Sequence, residues 1–285
     1  MHLNGKNMVI TGASSGIGET LAYMAARKGF RVGLVARREE RLHEIAAKIR
    51  NEGGNADVFP ADLISPVART AVYENIKQTW GHVDVWVNNA GIGWYGHITD
   101  LSPELAARLI DLNVQAPVHF TLLVLPDMLE RQSGQLIQVG SIAGDIPSQG
   151  VAAYAASKSF IDNFNTALHR ELRRSGVFAT VIKPGPVKTE FFERAISQEG
   201  GRAVPAERLA ISSERVAAGI LRAIDHPKRT VYIPWYVGLV HWVELIFSPI
   251  IDALGPLLLN REDRRLRKER RAQNKPTVQC QIPPH

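Results

Sequence analysis

Residues 7–18 read Asn7-Met8-Val9-Ile10-Thr11-Gly12-Ala13-Ser14-Ser15-Gly16-Ile17-Gly18. A short apolar run, Asn7 to Ile10, has strand character, and a helix-period segment starts near Ile17. Three glycines lie between or at the join. In a strand–loop–helix, such a loop lets backbone approach a ligand closely, and the helix N-terminus that follows favours negative charge. The stretch therefore points to a phosphate-bearing ligand, although a glycine-rich turn without a ligand uses the same residues. The spacing is G-x-x-x-G-x-G, not the commoner G-x-G-x-x-G.

The alternation that begins there continues to about residue 233. Candidate strands are Asn7–Ile10, Arg31–Ala36, Ala56–Phe59, Val83–Val87, Gln135–Val139, Phe178–Ile182 and Val231–Ile233, with helices at about 17–28, 39–52, 66–80, 103–129, 153–175 and 213–225. Consecutive apolar residues in several strands fit a parallel sheet covered on both faces. The fold class is thus α/β: a doubly wound, Rossmann-type, seven-stranded parallel sheet flanked by helices. Ligands of such sheets lie at the carboxyl ends of the strands, where the strand order reverses.

Composition narrows the function. With 285 residues, 45% hydrophobic and 22% charged, the chain supports one large core. The net charge of +6 sits mostly in the segment 261–275, which leaves the body near neutral and disfavours a nucleic-acid partner. The single cysteine, Cys280, excludes an intramolecular disulfide framework and makes a reducing, cytoplasmic setting the default. No export signal is read in the first thirty residues. The nine histidines show no ligand spacing, so no metal is expected.

The ends of the later strands carry the chemistry. The second closes on Val35-Ala36-Arg37-Arg38, with no carboxylate for a ribose 2′-hydroxyl and two guanidiniums suited to a 2′-phosphate, so NADP(H) is preferred over NAD(H). Arg37 is the favoured phosphate ligand of the two, and Arg38 more readily than Arg37 could instead open a solvated helix with Glu39 and Glu40. Asp62 could accept from an adenine amino group, with Leu63 packing on the ring. Asn88-Asn89-Ala90-Gly91 offers small and amide residues where backbone and cofactor would meet, or forms a plain turn. Tyr154 and Lys158, at i and i+4, share one helix face, so the ammonium should favour the ionised phenol. Ser141 lies thirteen residues upstream of Tyr154.

Taken together, Thr11-Gly12-(x)3-Gly16-x-Gly18, Asn88-Asn89-Ala90-Gly91, Asn113, Ser141, Tyr154-(x)3-Lys158 and Pro184-Gly185 resemble the short-chain dehydrogenase/reductase family over roughly residues 4–233. The resemblance implies a catalytic set of Asn113, Ser141, Tyr154 and Lys158. Tyr154 would be the general acid/base, Lys158 would lower its pKa and hold the nicotinamide ribose, Ser141 would bond the substrate oxygen, and Asn113 would anchor a relay water. It also implies cofactor contacts from Gly12, Ser14, Ser15, Gly16, Ile17, Gly18, Arg37, Arg38, Asp62, Leu63, Asn89, Ala90, Gly91, Tyr154, Lys158, Pro184, Gly185, Val187 and Thr189. A substrate loop, 186–212, would carry Phe191, Phe192 and a Gly200-Gly201 hinge. The expected activity is interconversion of a carbonyl and a secondary alcohol on a small apolar, lipid-like or steroid-like substrate by a homodimer or homotetramer. The competing reading is a catalytically silent NADP(H)-sensing or scaffold protein, which predicts a broken tetrad; here all four positions are intact.

Beyond this 1–233 domain, the extension 234–260 belongs to an apolar run, Val231 to Leu259, that carries five aromatics and only Glu244 and Asp252 as formal charges, interrupted by Pro234, Pro249 and Pro256. With the basic stretch after it, residues 234–271 fit peripheral membrane contact. Pocket cover and subunit contact remain equally open. Residues 261–285 read as a charged helix followed by a disordered tail.

Overall fold

Strand β1 (Asn7–Thr11) is buried along its whole length, and its side chains divide by parity. Met8 and Ile10 enter one apolar core while Val9 enters a second, as the two-residue period of a strand requires. That division is repeated in β2 (Arg31–Ala36), where Val32 and Leu34 oppose Val35, and in β5 (Gly134–Val139), where Ile137 and Val139 oppose Leu136. The computed structural model describes residues 4–191, 195, 198, 210–239 and 249.

The other strands are β3 (Asn55–Pro60), β4 (Val85–Asn88), β6 (Val177–Pro184) and β7 (Thr230–Ile233). The order is β3-β2-β1-β4-β5-β6-β7, with every adjacent pair parallel. The sheet is the expected doubly wound Rossmann architecture. Its reversal in order falls between β1 and β4, so the loops after these two strands face one crevice.

Helices α1 (Gly16–Arg27), α2 (Glu39–Asn51) and α7 (Ser213–Asp225) supply the first core, with Leu21, Leu42, Ile45 and Ile220 fully buried. Helices α3 (Pro66–Trp80), α5 (Ala116–Glu130) and α6 (Ala152–Glu171) supply the second, around Ile76, Phe120 and Leu168. Trp86 on β4 centres that core, tilted 4.8 Å from Phe120, and its indole donates to Asn88 Oδ1 at 2.9 Å. Both faces being covered explains why the strand sequences lack a polar side.

One expected helix differs. Residues 103–129 are not one α-helix: α4 (Pro103–Ile110) passes into a π turn, Asp111–Gln115, before α5 begins. Pro117 gives the reason, because it lacks the N–H that would bond the carbonyl four residues back, which belongs to Asn113. Helix α6 also ends at Glu171, earlier than expected, where Arg174 (φ 70°) and Gly176 (φ 81°) form a turn into β6. Residues 1–241 form one compact unit and 242–285 another, of which only Pro249 is described.

Candidate active site and cofactor cleft

The glycine loop closes on the turn after β4. Thr11 Oγ1 accepts from the backbone N–H of both Asn89 (2.9 Å) and Ala90 (3.1 Å), and the Asn89 amide donates back to Thr11 O at 2.9 Å. The loops are so close that a Cβ on Gly12 would meet Ala90 Cα at 2.8 Å, and one on Gly18 would meet Asn89 Nδ2 at 2.7 Å. Gly12 and Gly16 also have φ of +68° and +58°, which favours glycine. These glycines make the loop thin.

Ser15 precedes α1 without capping it through its side chain, whereas Ser65, Ser102 and Ser212 each accept from a first-turn amide of α3, α4 and α7. The first-turn amides of α1 therefore keep their affinity for an anion, as a pyrophosphate requires. The thin loop and these amides fit a dinucleotide. Ile17 packs on the core, so its part in a phosphate contact would be through backbone.

Of the two arginines, Arg38 is tied to this loop. Its Nη2 donates to Ser14 O at 2.8 Å, its Nε to Ser14 Oγ at 3.2 Å, and its Nη1 pairs with Glu190 at 3.3 Å. Arg37 is exposed. On the adenine side, Asp62 is exposed and accepts from the Ile64 amide, but Leu63 is buried in the second core, where it supports the loop from below. Arg69, 3% exposed, donates to Leu63 O and Ile64 O at 2.7 and 2.8 Å. Sequence reasoning missed Arg69, although an arginine seven residues after Asp62 was there to be read.

The catalytic candidates converge at the ends of β5 and β6. Ser141 follows β5, its hydroxyl accepts from the Ala143 amide at 3.1 Å, and it lies beside the Tyr154 hydroxyl. Lys158, 6% exposed, donates to Val139 O at 2.9 Å, and its Nζ lies 5.8 Å from the Tyr154 ring centre. Asn113, fully buried in the π turn, exchanges two 2.9 Å bonds with the Ile92 backbone and donates to Ser157 Oγ at 3.1 Å. Ser157 in turn donates to Tyr154 O at 2.7 Å. Gly91 lies between the two, since a Cβ there would sit 3.0 Å from Asn113 Oδ1 and 3.7 Å from Lys158 Nζ.

The electrostatics depart from the simple expectation. Burial pushes the Tyr154 phenol up to about 12, opposed by the neighbouring Ser141 hydroxyl and aided by Asp162. Burial also drives Lys158 down to about 8, opposed by Asp162. The ammonium was expected to lower the phenol; with Lys158 turned to Val139 O, desolvation of the phenol wins.

Pro184-Gly185 ends β6, with the Gly185 amide donating to Ile233 O at 2.8 Å. The following loop is clamped at its base, Val187 bridging Ile211 in parallel and Lys188 N donating to Ile211 O at 2.9 Å. Thr189 returns to the glycine loop, its Cγ2 2.9 Å from where a Gly16 Cβ would stand. Phe191 lies 5.7 Å from the Tyr154 ring and fills the space in front of Gly93. Gln198 donates to Gly93 O at 3.0 Å. Phe192 and Gly200-Gly201 lie outside the described residues.

A family model for short chain dehydrogenases matches residues 6–200. The chain belongs to that family. An uncharacterized oxidoreductase, YxnA, of Bacillus subtilis (strain 168) is 34% identical over 250 residues, covering 87% of this chain and 70% of that protein. Dehydrogenase/reductase SDR family member 7B of Bos taurus is 34% identical over 235 residues, covering 79% and 72%. Among solved structures, a short-chain dehydrogenase from Sphingobium yanoikuyae in complex with NADPH superposes with a TM-score of 0.75 at 28% identity, covering 98% of each chain. A metagenomic short-chain oxidoreductase in complex with NADP gives 0.69 at 29%, covering 81% of this chain and 98% of that one. This short-chain dehydrogenase is an oxidoreductase with a nucleotide cofactor.

Proposed function

We propose that this short-chain dehydrogenase prefers NADP(H) and interconverts an apolar, lipid-like or steroid-like carbonyl compound and its secondary alcohol, with Tyr154 as the general acid/base. The observation that carries the reading is the buried Tyr154 hydroxyl beside Ser141, with Lys158 one helical turn along the same helix, at the strand ends beside the glycine loop. Arg38 on Ser14 supports the 2′-phosphate, as do the NADPH and NADP of two structural neighbours. Phe191, its ring 5.7 Å from that of Tyr154, supports an apolar substrate.

When bound, the cofactor supplies or accepts the hydride. The Ser141 hydroxyl donates to the substrate oxygen and stabilises charge that develops there. Tyr154, held protonated at neutral pH by burial, gives its proton to that oxygen during reduction. Lys158 steadies the ionised phenol left behind and holds the nicotinamide ribose. Asn113 fixes the Ile92 loop and, through Ser157, the backbone of Tyr154.

We assign a homodimer or homotetramer, supported by exposed Leu122, Leu129 and Phe160 on α5 and α6, with Phe160 stacked 6.2 Å from Phe164. Exposed Trp235 and Tyr236 support peripheral membrane contact of an otherwise cytoplasmic protein through the segment they open. Titration with NADPH and NADH, then NADPH oxidation with apolar ketones and aldehydes, tests the reading. Tighter NADH binding would overturn the cofactor assignment, and turnover in Tyr154→Phe would overturn the acid/base.

A further inference from the structure

Asp162 lies one turn beyond Lys158 on the buried stripe of α6 and is 8% exposed. Its oxygens pack against the two glycines that flank the Ser141 turn. A Cβ on Gly140 would stand 2.8 Å from Oδ1, and one on Gly144 would stand 2.5 Å from Oδ2. Lys183, the residue before Pro184-Gly185, places its ammonium 2.9 Å from Asp162 and 2.6 Å from Asp145. Tyr232 on β7 donates to the other oxygen of Asp145 at 3.1 Å. The cluster joins the turn after β5, α6, the end of β6 and β7.

The charges decide what this arrangement does. Buried charges survive only when compensated. Lys183 is shared between two carboxylates, so the pair of aspartates needs a second cation. Lys158 is the other buried ammonium here, and its hydrogen bond goes to a neutral carbonyl, Val139 O. Two lysines and two aspartates make the cluster neutral. Asp162 Oδ1 meets no hydrogen-bond donor among the described residues, so its charge is left to act on its neighbours.

We propose that Asp162 is a positioning residue whose carboxylate is the counter-charge that keeps Lys158 protonated through neutral pH, and that Lys183 holds this carboxylate ionised and in place. The groups facing Asp162 are Lys183 from β6, Asp145 from the turn after β5, Lys158 and Tyr154 from α6, and Tyr232 beyond Asp145 on β7. Among these the balance has a consistent direction. Burial drives Lys158 down and Asp162 opposes it. Burial would likewise depress Lys183, yet the two aspartates outweigh it and hold that ammonium above its ordinary value. Asp162 itself is pushed up to about 6 by burial, against the pull of Lys183. Removing Lys183 therefore neutralises Asp162 almost as replacing it would.

The inference rests on Lys158 holding the cofactor ribose, and NADPH affinity measured against pH separates the two claims. Fluorescence titration between pH 7 and 10 should give an alkaline loss of affinity near pH 8 in the wild-type protein. Asp162→Asn, nearly isosteric, and Lys183→Met should each move that loss about one unit lower, with affinity at pH 7 within about threefold of wild type. A loss of affinity that stays at the wild-type pH in both variants, with intact melting transitions, overturns the proposal. Lys158→Met should abolish the alkaline limb; if the limb survives there, the reading of Lys158 fails instead.

Discussion

Replacing Arg38 by methionine removes a guanidinium that sits 2.8 Å from Ser14 O on the loop where the adenosine phosphate would lie. A charge-assisted hydrogen bond to a phosphate contributes about 1.5–3 kcal/mol. To meet that phosphate, Arg38 must leave Glu190, and both side chains are nearly half exposed, so releasing the pair costs less than about 1 kcal/mol. The net gain is about 1–2 kcal/mol, equivalent to about 5- to 30-fold in affinity. Arg38 also braces Ser14, a contribution shared by NADPH and NADH, so the quantity to read is the ratio of their dissociation constants. Nicotinamide fluorescence titration of Arg38→Met should shrink the preference for NADPH by that factor, whereas Arg37→Met should change it less than about threefold. Equal weakening of both cofactors would refute phosphate recognition by Arg38 and leave it a brace for the loop. A larger effect at Arg37 would show that the wrong guanidinium has been chosen.

Other residues give equally direct expectations. Gly93→Ala places a Cβ 2.5 Å from the Phe191 ring and should raise the KM for a ketone several-fold; adding Phe191→Ala should remove the penalty, and a penalty that persists would clear the contact of blame. Pro117→Ala restores an N–H able to reach Asn113 O, so the protein should melt no lower than wild type while turnover falls; unchanged turnover would deny the π turn a catalytic role. Because the folded-state pKa of Asp162 is raised to about 6, the folded form holds its proton more tightly than the unfolded chain, and stability falls as pH rises through about 4 to 6. Melting curves should show that fall diminished in Asp162→Asn; an identical pH dependence in both proteins would contradict the assignment.

The glycine loop, the strand ends and the order of the catalytic candidates were legible because each depends on short-range rules: parity along a buried strand, backbone room at glycine, one turn between Tyr154 and Lys158. Element positions followed closely for the same reason. Splitting of the 103–129 helix was not foreseen, although Pro117 was its signal, because a proline near a helix start is ordinarily tolerated and only its relation to Asn113 made it matter. Spacing placed Lys158 beside Tyr154 but could not say that the ammonium would turn to Val139 O and leave burial to govern the phenol. The i+4 relation of Lys158 to Asp162 was equally visible. Its meaning depends on Lys183 and Asp145, brought there from β6 and the turn after β5 by the sheet. Preference between Arg37 and Arg38 likewise hung on which side chain the exit from β2 turned toward Ser14.

Tyr154 is proposed to deliver the proton in an NADPH-dependent carbonyl reduction. The most direct measurement is NADPH oxidation with a panel of apolar ketones by the wild-type protein and by Tyr154→Phe, with NADPH affinity determined for both. Turnover is expected in the wild type, with a loss of about 100-fold or more in the variant and matched cofactor binding. Comparable turnover in Tyr154→Phe at equal NADPH affinity would contradict that role.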